Sequence, residues 1–394
     1  MTGPPRLLIV ASVPDTLVAF LLPYAAHFRA KGWRVDAAAR GAPEVALVTE
    51  AFDAVHHVPW TRSPTDPSNL TTAVRALQEL VVREGYDLVH VHDPIAAFVT
   101  RFALRGLRRR TGVRVAYTAH GFHFFEGNAP HRNALFYTLE VLASRWTDAQ
   151  VVINREDEAA ARRWPFASRH RLTYMPGIGV DTSRYDPAAV SNEDVARVRH
   201  ELGLAAGQPL VTMLAEFNPG KRHGDLVAAL ARADRPGLVL ALAGVGPLEG
   251  AVRDQAEALG LVNRVKLLGY RRDAPALLRA SVALALPSER EGLPRSIMEA
   301  LCMERPVIAT RVRGTTELVT PATGVLVDVG DVDALAEALR WVVDEPEDAA
   351  ARGRAGRAAM RAFDLGQVLA MHDALYERLL EGSAAVRERR LTPS

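Results

Sequence analysis

The chain has 394 residues, 48% hydrophobic and 24% charged, with 48 Lys+Arg against 46 Asp+Glu. That apolar content excludes a disordered or collagen-like chain, and the length implies two domains or one large α/β domain. A formal charge of +2 lacks the basic excess of a protein that tracks a nucleic-acid backbone, and a single cysteine, Cys302, rules out an internal disulfide.

In chain order, Arg6–Ser12 reads as a buried strand, followed by a helix from about Thr16 to Lys31 that Gly32 ends. A second strand covers Trp33–Ala39. Another strand–helix–strand unit runs through Asp87–His92, a helix over Pro94–Arg110, and Val113–Thr118. After a Gly/His/Phe loop the pattern predicts a helix from about His131 to Trp146 and a strand over Ala149–Asn154. Near-continuous apolar strands alternating with helices mean a parallel sheet covered on both faces. Periodicity stops over Met175–Pro187, where glycines and prolines mark a linker. It restarts with strands at Leu210–Ala215, Leu238–Ala243, Val265–Leu268, Val282–Leu286, Val307–Ala309 and Gly324–Val327, and closes with helical sequence from Asp331 to about Glu381.

The predicted architecture is α/β: one domain over 1–180, a second over 181–365, and a C-terminal helix over 366–394 that crosses back to the first. Ligands are then expected in the cleft between the halves, at carboxyl ends of parallel strands. The longest uncharged run near the N-terminus, Thr16–Phe28, contains Pro23 and falls well short of the roughly 20 residues that span a bilayer. A cytoplasmic protein is expected, with peripheral contact at the inner membrane face left open.

Chemistry concentrates in Pro287–Ala300, which follows a buried strand and opens a helix. Glu291 and Glu299 sit eight residues apart, one before the helix and one about two turns in. Gly292 allows close backbone approach, and the free N–H groups of a helix start attract an anion. Carboxylates placed so can bind sugar hydroxyls while the amides hold a phosphate; helix capping produces the same pattern. Gly244-Val-Gly246-Pro247 also joins a strand to a helix but lacks the rest of a dinucleotide fingerprint.

The segment Glu291-Gly-Leu-Pro-Arg-Ser-Ile-Met-Glu299, together with Arg305–Thr310, Val91-His-Asp-Pro94, Thr118-Ala-His-Gly-Phe-His-Phe124, Gly244–Pro247 and Met175–Asp181, resembles the retaining glycosyltransferases of family 4. The His-Gly-Phe-His-Phe signature is similar to that of the subgroup that builds capsular and exopolysaccharide repeats. The resemblance implies a GT-B fold of two Rossmann-like domains, the first for the acceptor and the second for a nucleotide sugar, UDP-linked by the habit of the subgroup. It implies that Glu299 binds ribose hydroxyls, that Glu291 contacts the donor sugar, and that Gly292, Leu293 and Pro294 lie near the sugar and diphosphate. Lys221 would neutralise the departing diphosphate, aided by Asn218, while Gly244 and Gly246 line the nucleotide pocket and His120 contacts the sugar. No metal and no cofactor beyond the nucleotide sugar is implied, and no nucleic acid. One position departs from the family: many members carry Arg five residues before the Lys, where this chain has Glu216, and Arg222 is the candidate replacement.

Fainter signals point to the acceptor side: His123, and Asp15 in the first strand-to-helix loop, which lacks the double glycine of many relatives, while Phe122, Phe124 and Phe125, near Trp146 in sequence order, read either as an acceptor entrance or as core. Arg101, Arg105, Arg108, Arg109, Arg110 and Arg114 read either as a solvated face or as a patch for anionic headgroups. His90, His92, His120 and His123 lack the Cys or grouped carboxylates of a metal site. The expected activity is transfer of a hexose or N-acetylhexosamine to a hydroxyl of a polyprenyl-linked sugar. A soluble scaffold as acceptor, a sugar-nucleotide epimerase of the same fold, and a non-catalytic sugar-nucleotide-binding module are the alternatives.

Overall fold

The computed structural model describes residues 3–61, 63, 66–125, 127–164 and 171–391, with side chains to residue 381. The chain forms two compact units, one of Met1–Ile178 with Val368–Ser394 and one of Gly179–Gln367.

The first unit is built on seven strands: β1 (Arg6–Val10), β2 (Arg34–Ala39), β3 (Val55–His57), β4 (Leu88–Val91), β5 (Arg114–Ala119), β6 (Ala149–Val152) and β7 (Leu172–Tyr174). They pair in the order β3-β2-β1-β4-β5-β6-β7, all parallel. The second unit holds β8 (Leu210–Leu214), β9 (Val239–Ala243), β10 (Val265–Leu267), β11 (Ala283–Leu286), β12 (Val307–Thr310) and β13 (Gly324–Val327), in the parallel order β10-β9-β8-β11-β12-β13. Strands such as β4, β6, β9, β11 and β12 are buried along their whole length, which is why they read as apolar runs rather than alternations. Each sheet is therefore an α/β doubly wound layer, as the periodicity requires.

Helix ends depart from the sequence reading where Pro and Gly intervene. The first helical segment runs Pro14–Thr16, Leu17–Leu21 and Leu22–Ala30, its middle turn widened to i→i+5 next to Pro23, which has no amide hydrogen to give. The single helix expected over Pro94–Arg110 is two, Pro94–Leu104 and Leu107–Thr111, divided at Gly106. The closing helical stretch is three helices, Val332–Asp344, Pro346–Met360 and Leu365–Leu391.

The core of the first unit gathers Leu8, Val10, Trp60, Tyr86, Val89, Tyr117 and Phe122. Each large apolar side chain fully buried there is worth about 1.5–3 kcal/mol. The last helix completes this unit: Tyr376, fully buried, lies 4.8 Å from the Phe28 ring, and His372 meets Tyr24 edge-on at 4.9 Å. Asp373 pairs with Lys31 at 2.7 Å and with His27 at 3.0 Å.

The arginine-rich helix is not one basic face. Arg101 is fully buried, its Nη2 donating to Glu140 Oε2 at 2.9 Å, and its guanidinium lies 4.1 Å from the centre of the Tyr117 ring. The Tyr117 hydroxyl donates to Glu140 Oε1 at 2.9 Å, and burial raises its pKa well above the phenol range. Arg108 and Arg114 both pair with Asp148. Only Arg105, Arg109 and Arg110 of the six are on the surface, so the sequence cluster overstates the patch.

Candidate active site

In the second unit the strand order reverses between β8 and β11, and the loops that follow these two strands carry the chemistry. Such a switch point opens a crevice at the strand ends because the helices leave the sheet in opposite directions. The loop after β8 ends in the turn Pro219–Lys221, and the amide of Glu289 in the loop after β11 donates to the Gly220 carbonyl at 2.8 Å. Across this junction Lys221 Nζ lies 2.6 Å from Glu291 Oε1. The lysine side chain is 25% exposed and the glutamate 9%, so a fixed positive charge is held at the crevice by a largely buried carboxylate.

Arg222 takes a left-handed backbone conformation (φ 54°) just before the helix His223–Arg232, and its Nε donates to Asp225 Oδ2 at 2.6 Å. Asn218 starts the Lys221 turn; its carbonyl accepts from the Lys221 amide at 3.1 Å and its Nδ2 donates to Glu216 Oε2 at 3.0 Å. Glu216 is exposed. It thus braces Asn218. His223 stacks on Phe217 at 4.2 Å and is pushed down to about 4, mainly by burial and further by Lys221. It is neutral near pH 7 and adds no charge.

Gly244 and Gly246 let two loops touch. The Phe217 amide donates to the Val245 carbonyl at 3.0 Å and the Leu248 amide to the Phe217 carbonyl at 3.1 Å. A Cβ on Gly244 would sit 1.9 Å from the Ala215 carbonyl oxygen, and one on Gly246 2.5 Å from that of Phe217. Gly244→Ala is therefore expected to push the β8 and β9 loops apart. The result should be a lower melting temperature; an unchanged one would show that the two loops can part without cost.

Leu293 and Pro294 are buried, and Gly292 packs against Gly314, where an added Cβ would meet the Gly292 oxygen at 2.1 Å. Glu299, 5% exposed, sits in the helix Arg295–Cys302, accepts from Arg295 Nε at 2.8 Å, and is hydrogen-bonded by Tyr185. Burial, then the carboxylate, raises the Tyr185 pKa well above the phenol range, so its hydroxyl stays a donor. Tyr185, Arg313 and Gly314 carry no motif of their own; Arg313 Nε donates to the Glu291 carbonyl at 3.4 Å.

In the first unit the order reverses between β1 and β4. There a cavity of about 360 Å³ is lined by residues that include Ser12, Thr16, Asp93, His123 and Phe136. Asp93 has φ 65° and accepts from the Ser12 amide at 2.9 Å, which ties the β1 loop to the β4 loop. His123 belongs to this wall; Asp15 is exposed and is not among the lining residues. Phe122 takes the core alternative: it is 1% exposed, stacks on Phe124 at 4.8 Å and lies 5.1 Å from the Trp164 ring. Trp146 packs instead with Phe98 and Phe102. His120 follows β5, its Nε2 2.9 Å from His92 Nδ1. Burial lowers its pKa, partly offset by Asp93. Among the described residues no group of three or more His, Cys, Asp and Glu is arranged to hold a metal ion.

Two Rossmann-like parallel-sheet units, each with its loops gathered at a switch point, define the architecture of GT-B glycosyltransferases. The Anabaena protein HepE, solved with UDP and glucose, has the same fold, with a TM-score of 0.78 at 21% identity over 95% of this chain and 100% of that one. The family model "Glycosyl transferases group 1" matches residues 194–359, and "Glycosyl transferase 4-like domain" matches residues 17–177. The Bacillus subtilis protein that carries the name glycosyltransferase EpsD is 35% identical over 356 residues, 89% of this chain and 91% of that one. The Escherichia coli UDP-Gal:alpha-D-GlcNAc-diphosphoundecaprenol alpha-1,3-galactosyltransferase is 28% identical over 277 residues, 68% of this chain and 70% of that one. The chain belongs to the group 1 glycosyltransferases.

Proposed function

We propose that this glycosyltransferase moves a hexosyl or N-acetylhexosaminyl group from a UDP-linked donor, with retention of configuration, to a hydroxyl of a polyprenyl-diphosphate-linked sugar. The observation that carries the reading is the Lys221–Glu291 pair at the β8/β11 switch point, with Glu299 two turns further along the same segment. Glu299 and Tyr185 offer an acceptor and a donor suited to ribose hydroxyls. Glu291 takes a sugar hydroxyl, and the backbone of Gly292, Leu293 and Pro294 lies beside it. Lys221, Arg222 and Asn218 face the diphosphate, and Gly244 and Gly246 leave room for the nucleotide. His120, just past the end of β5, offers a ring nitrogen to a sugar hydroxyl.

The bond between the anomeric carbon and the diphosphate oxygen breaks as negative charge builds on the leaving phosphate. A preorganised cation and backbone amides stabilise that charge without a metal ion. The acceptor oxygen attacks from the face the diphosphate leaves, and its proton passes to the departing phosphate oxygen. No protein nucleophile is required. The acceptor class is supported by the E. coli relative, whose name places its acceptor on diphosphoundecaprenol, and by the resemblance of the His-Gly-Phe-His-Phe segment to the exopolysaccharide subgroup. The first-unit cavity at Ser12, Asp93 and His123 is the proposed acceptor wall. No helix among the described residues is long and apolar enough to cross a membrane.

Thermal unfolding with added nucleotides tests the donor. A ligand at 100 times its dissociation constant stabilises by about 2.7 kcal/mol, so UDP should raise the melting temperature by several degrees where GDP and ADP do not. A larger shift with GDP would overturn the choice of base. Transfer to undecaprenyl-diphosphate N-acetylglucosamine, read as UDP release that depends on acceptor, separates transfer from epimerisation.

A further inference from the structure

His92 has no part in the transfer scheme, yet it is 2% exposed and directly follows β4, next to the strand that delivers His120. The parallel register pairs Val91 with Tyr117, so both histidines leave the sheet at adjoining strand ends. Their rings lie 5.1 Å apart at 29°, joined by the 2.9 Å contact from Nδ1 of His92 to Nε2 of His120. Behind them the polar chain continues into the unit. His90 lies 4.3 Å from the His92 ring and is bonded at both nitrogens, to the Tyr376 hydroxyl and to Thr118 Oγ1 at 2.8 Å. His372 is fixed in turn, its Nδ1 donating to the Val368 carbonyl at 2.9 Å.

Burial holds His90 and His92 well below the usual imidazole range and His372 at about 4. These rings are neutral near pH 7, and a neutral imidazole has one N–H and one bare nitrogen. In the His92–His120 bond a single proton is shared. If His92 donates it, Nδ1 of His120 carries the other proton and is a donor; if His120 donates it, that Nδ1 is an acceptor. The character of His120 toward a hydroxyl is thereby decided at His92.

We propose that His92 is a positioning residue, whose Nδ1 fixes both the ring orientation and the tautomer of His120 and so presents one form of His120 to a sugar hydroxyl. This deepens the reading in which His120 bonds that hydroxyl and rests on it, but the hydrogen bond itself is testable without substrate. His90, held at both nitrogens, backs the His92 ring and keeps it from turning away.

The test uses the full chain with nitrogen-15-labelled histidine, with His120 identified by the signal lost in His120→Gln. Long-range proton–nitrogen correlations should show His120 as a single tautomer at about neutral pH. In His92→Leu, which keeps bulk and removes the nitrogen, His120 should become a mixture of tautomers. His92→Asn, whose amide falls near the place of Nδ1, should restore one form. An unchanged single tautomer in folded His92→Leu overturns the proposal; if that variant does not fold, His92→Gln, whose amide lies one bond further out, serves with the same criterion. With any UDP-sugar the wild type turns over, His92→Leu should lower kcat by about 10- to 100-fold with little change in the donor KM, the scale of a slightly misplaced group. His92→Asn should recover most of it, and unchanged kcat in His92→Leu likewise overturns the proposal. A wild-type chain that turns over no UDP-sugar defeats the reading of function, while the spectra still decide the fate of the His92–His120 bond.

Discussion

Lys221→Ala is expected to lower the transfer rate by about 100- to 1,000-fold, the typical cost of removing one preorganised group that faces developing charge. The chain should stay folded, because Lys221 lies in a surface turn and is a quarter exposed. Glu291→Ala should cost a similar factor for two reasons: the sugar loses a hydroxyl partner, and Lys221 loses the carboxylate that holds it at 2.6 Å. Since each residue fixes the other, the double variant should fall little below either single one. Steady-state kinetics on the three variants, with melting curves to confirm the fold, measures this; near-normal turnover of both single variants would remove the pair from the chemistry. Arg222→Ala should have a smaller effect, because its guanidinium is already committed to Asp225 at 2.6 Å.

The largest effect on stability is expected far from that site. Glu140→Leu leaves the Arg101 guanidinium fully buried with its carboxylate partner gone, and should destabilise the first unit by about 3–5 kcal/mol. Changing Arg101 to Met in the same chain removes the stranded charge and should recover most of the loss, since apolar replacements of a buried pair are often neutral or better. Urea titration of the single and double variants gives the comparison. A single variant as stable as the wild type would mean that water reaches the guanidinium.

That pair also shows where reading a sequence falls short. The strands of the second unit were legible to within a residue or so, because most are short apolar runs, and β9, β11 and β12 are buried along their whole length. The Glu291/Glu299 segment was legible because a buried strand, a glycine and a helix start lie together in one stretch. Arg101 was not: an arginine in an Arg-rich run reads as solvated, and only Glu140, 39 positions away, shows that it is inside. Phe122 was open to two readings, acceptor entrance or core, because only the distant Trp164 together with Phe124 shows which way the ring packs. Tyr185 lies far ahead of Glu299 in the chain and Arg313 lies 22 positions after Glu291, so the spacing within the Glu291–Glu299 segment carries no trace of either. His90 and His92 were visible as a pair on one strand, but the bond to His120 depends on how two strands register.

The last helix gives the chain a particular order of assembly. The strands of the first unit are made first, yet Tyr376, His372 and Asp373, which close over Phe28, Tyr24 and Lys31, are made last. The second unit is one uninterrupted segment, Gly179–Gln367, inserted between the two parts of the first. During synthesis it can reach its native state while the earlier unit still waits for its final helix, the reverse of the usual N-to-C sequence of domain folding. Ribosome stalls placed beyond residue 367 would therefore hold a protease-resistant inserted segment attached to a protease-sensitive N-terminal portion.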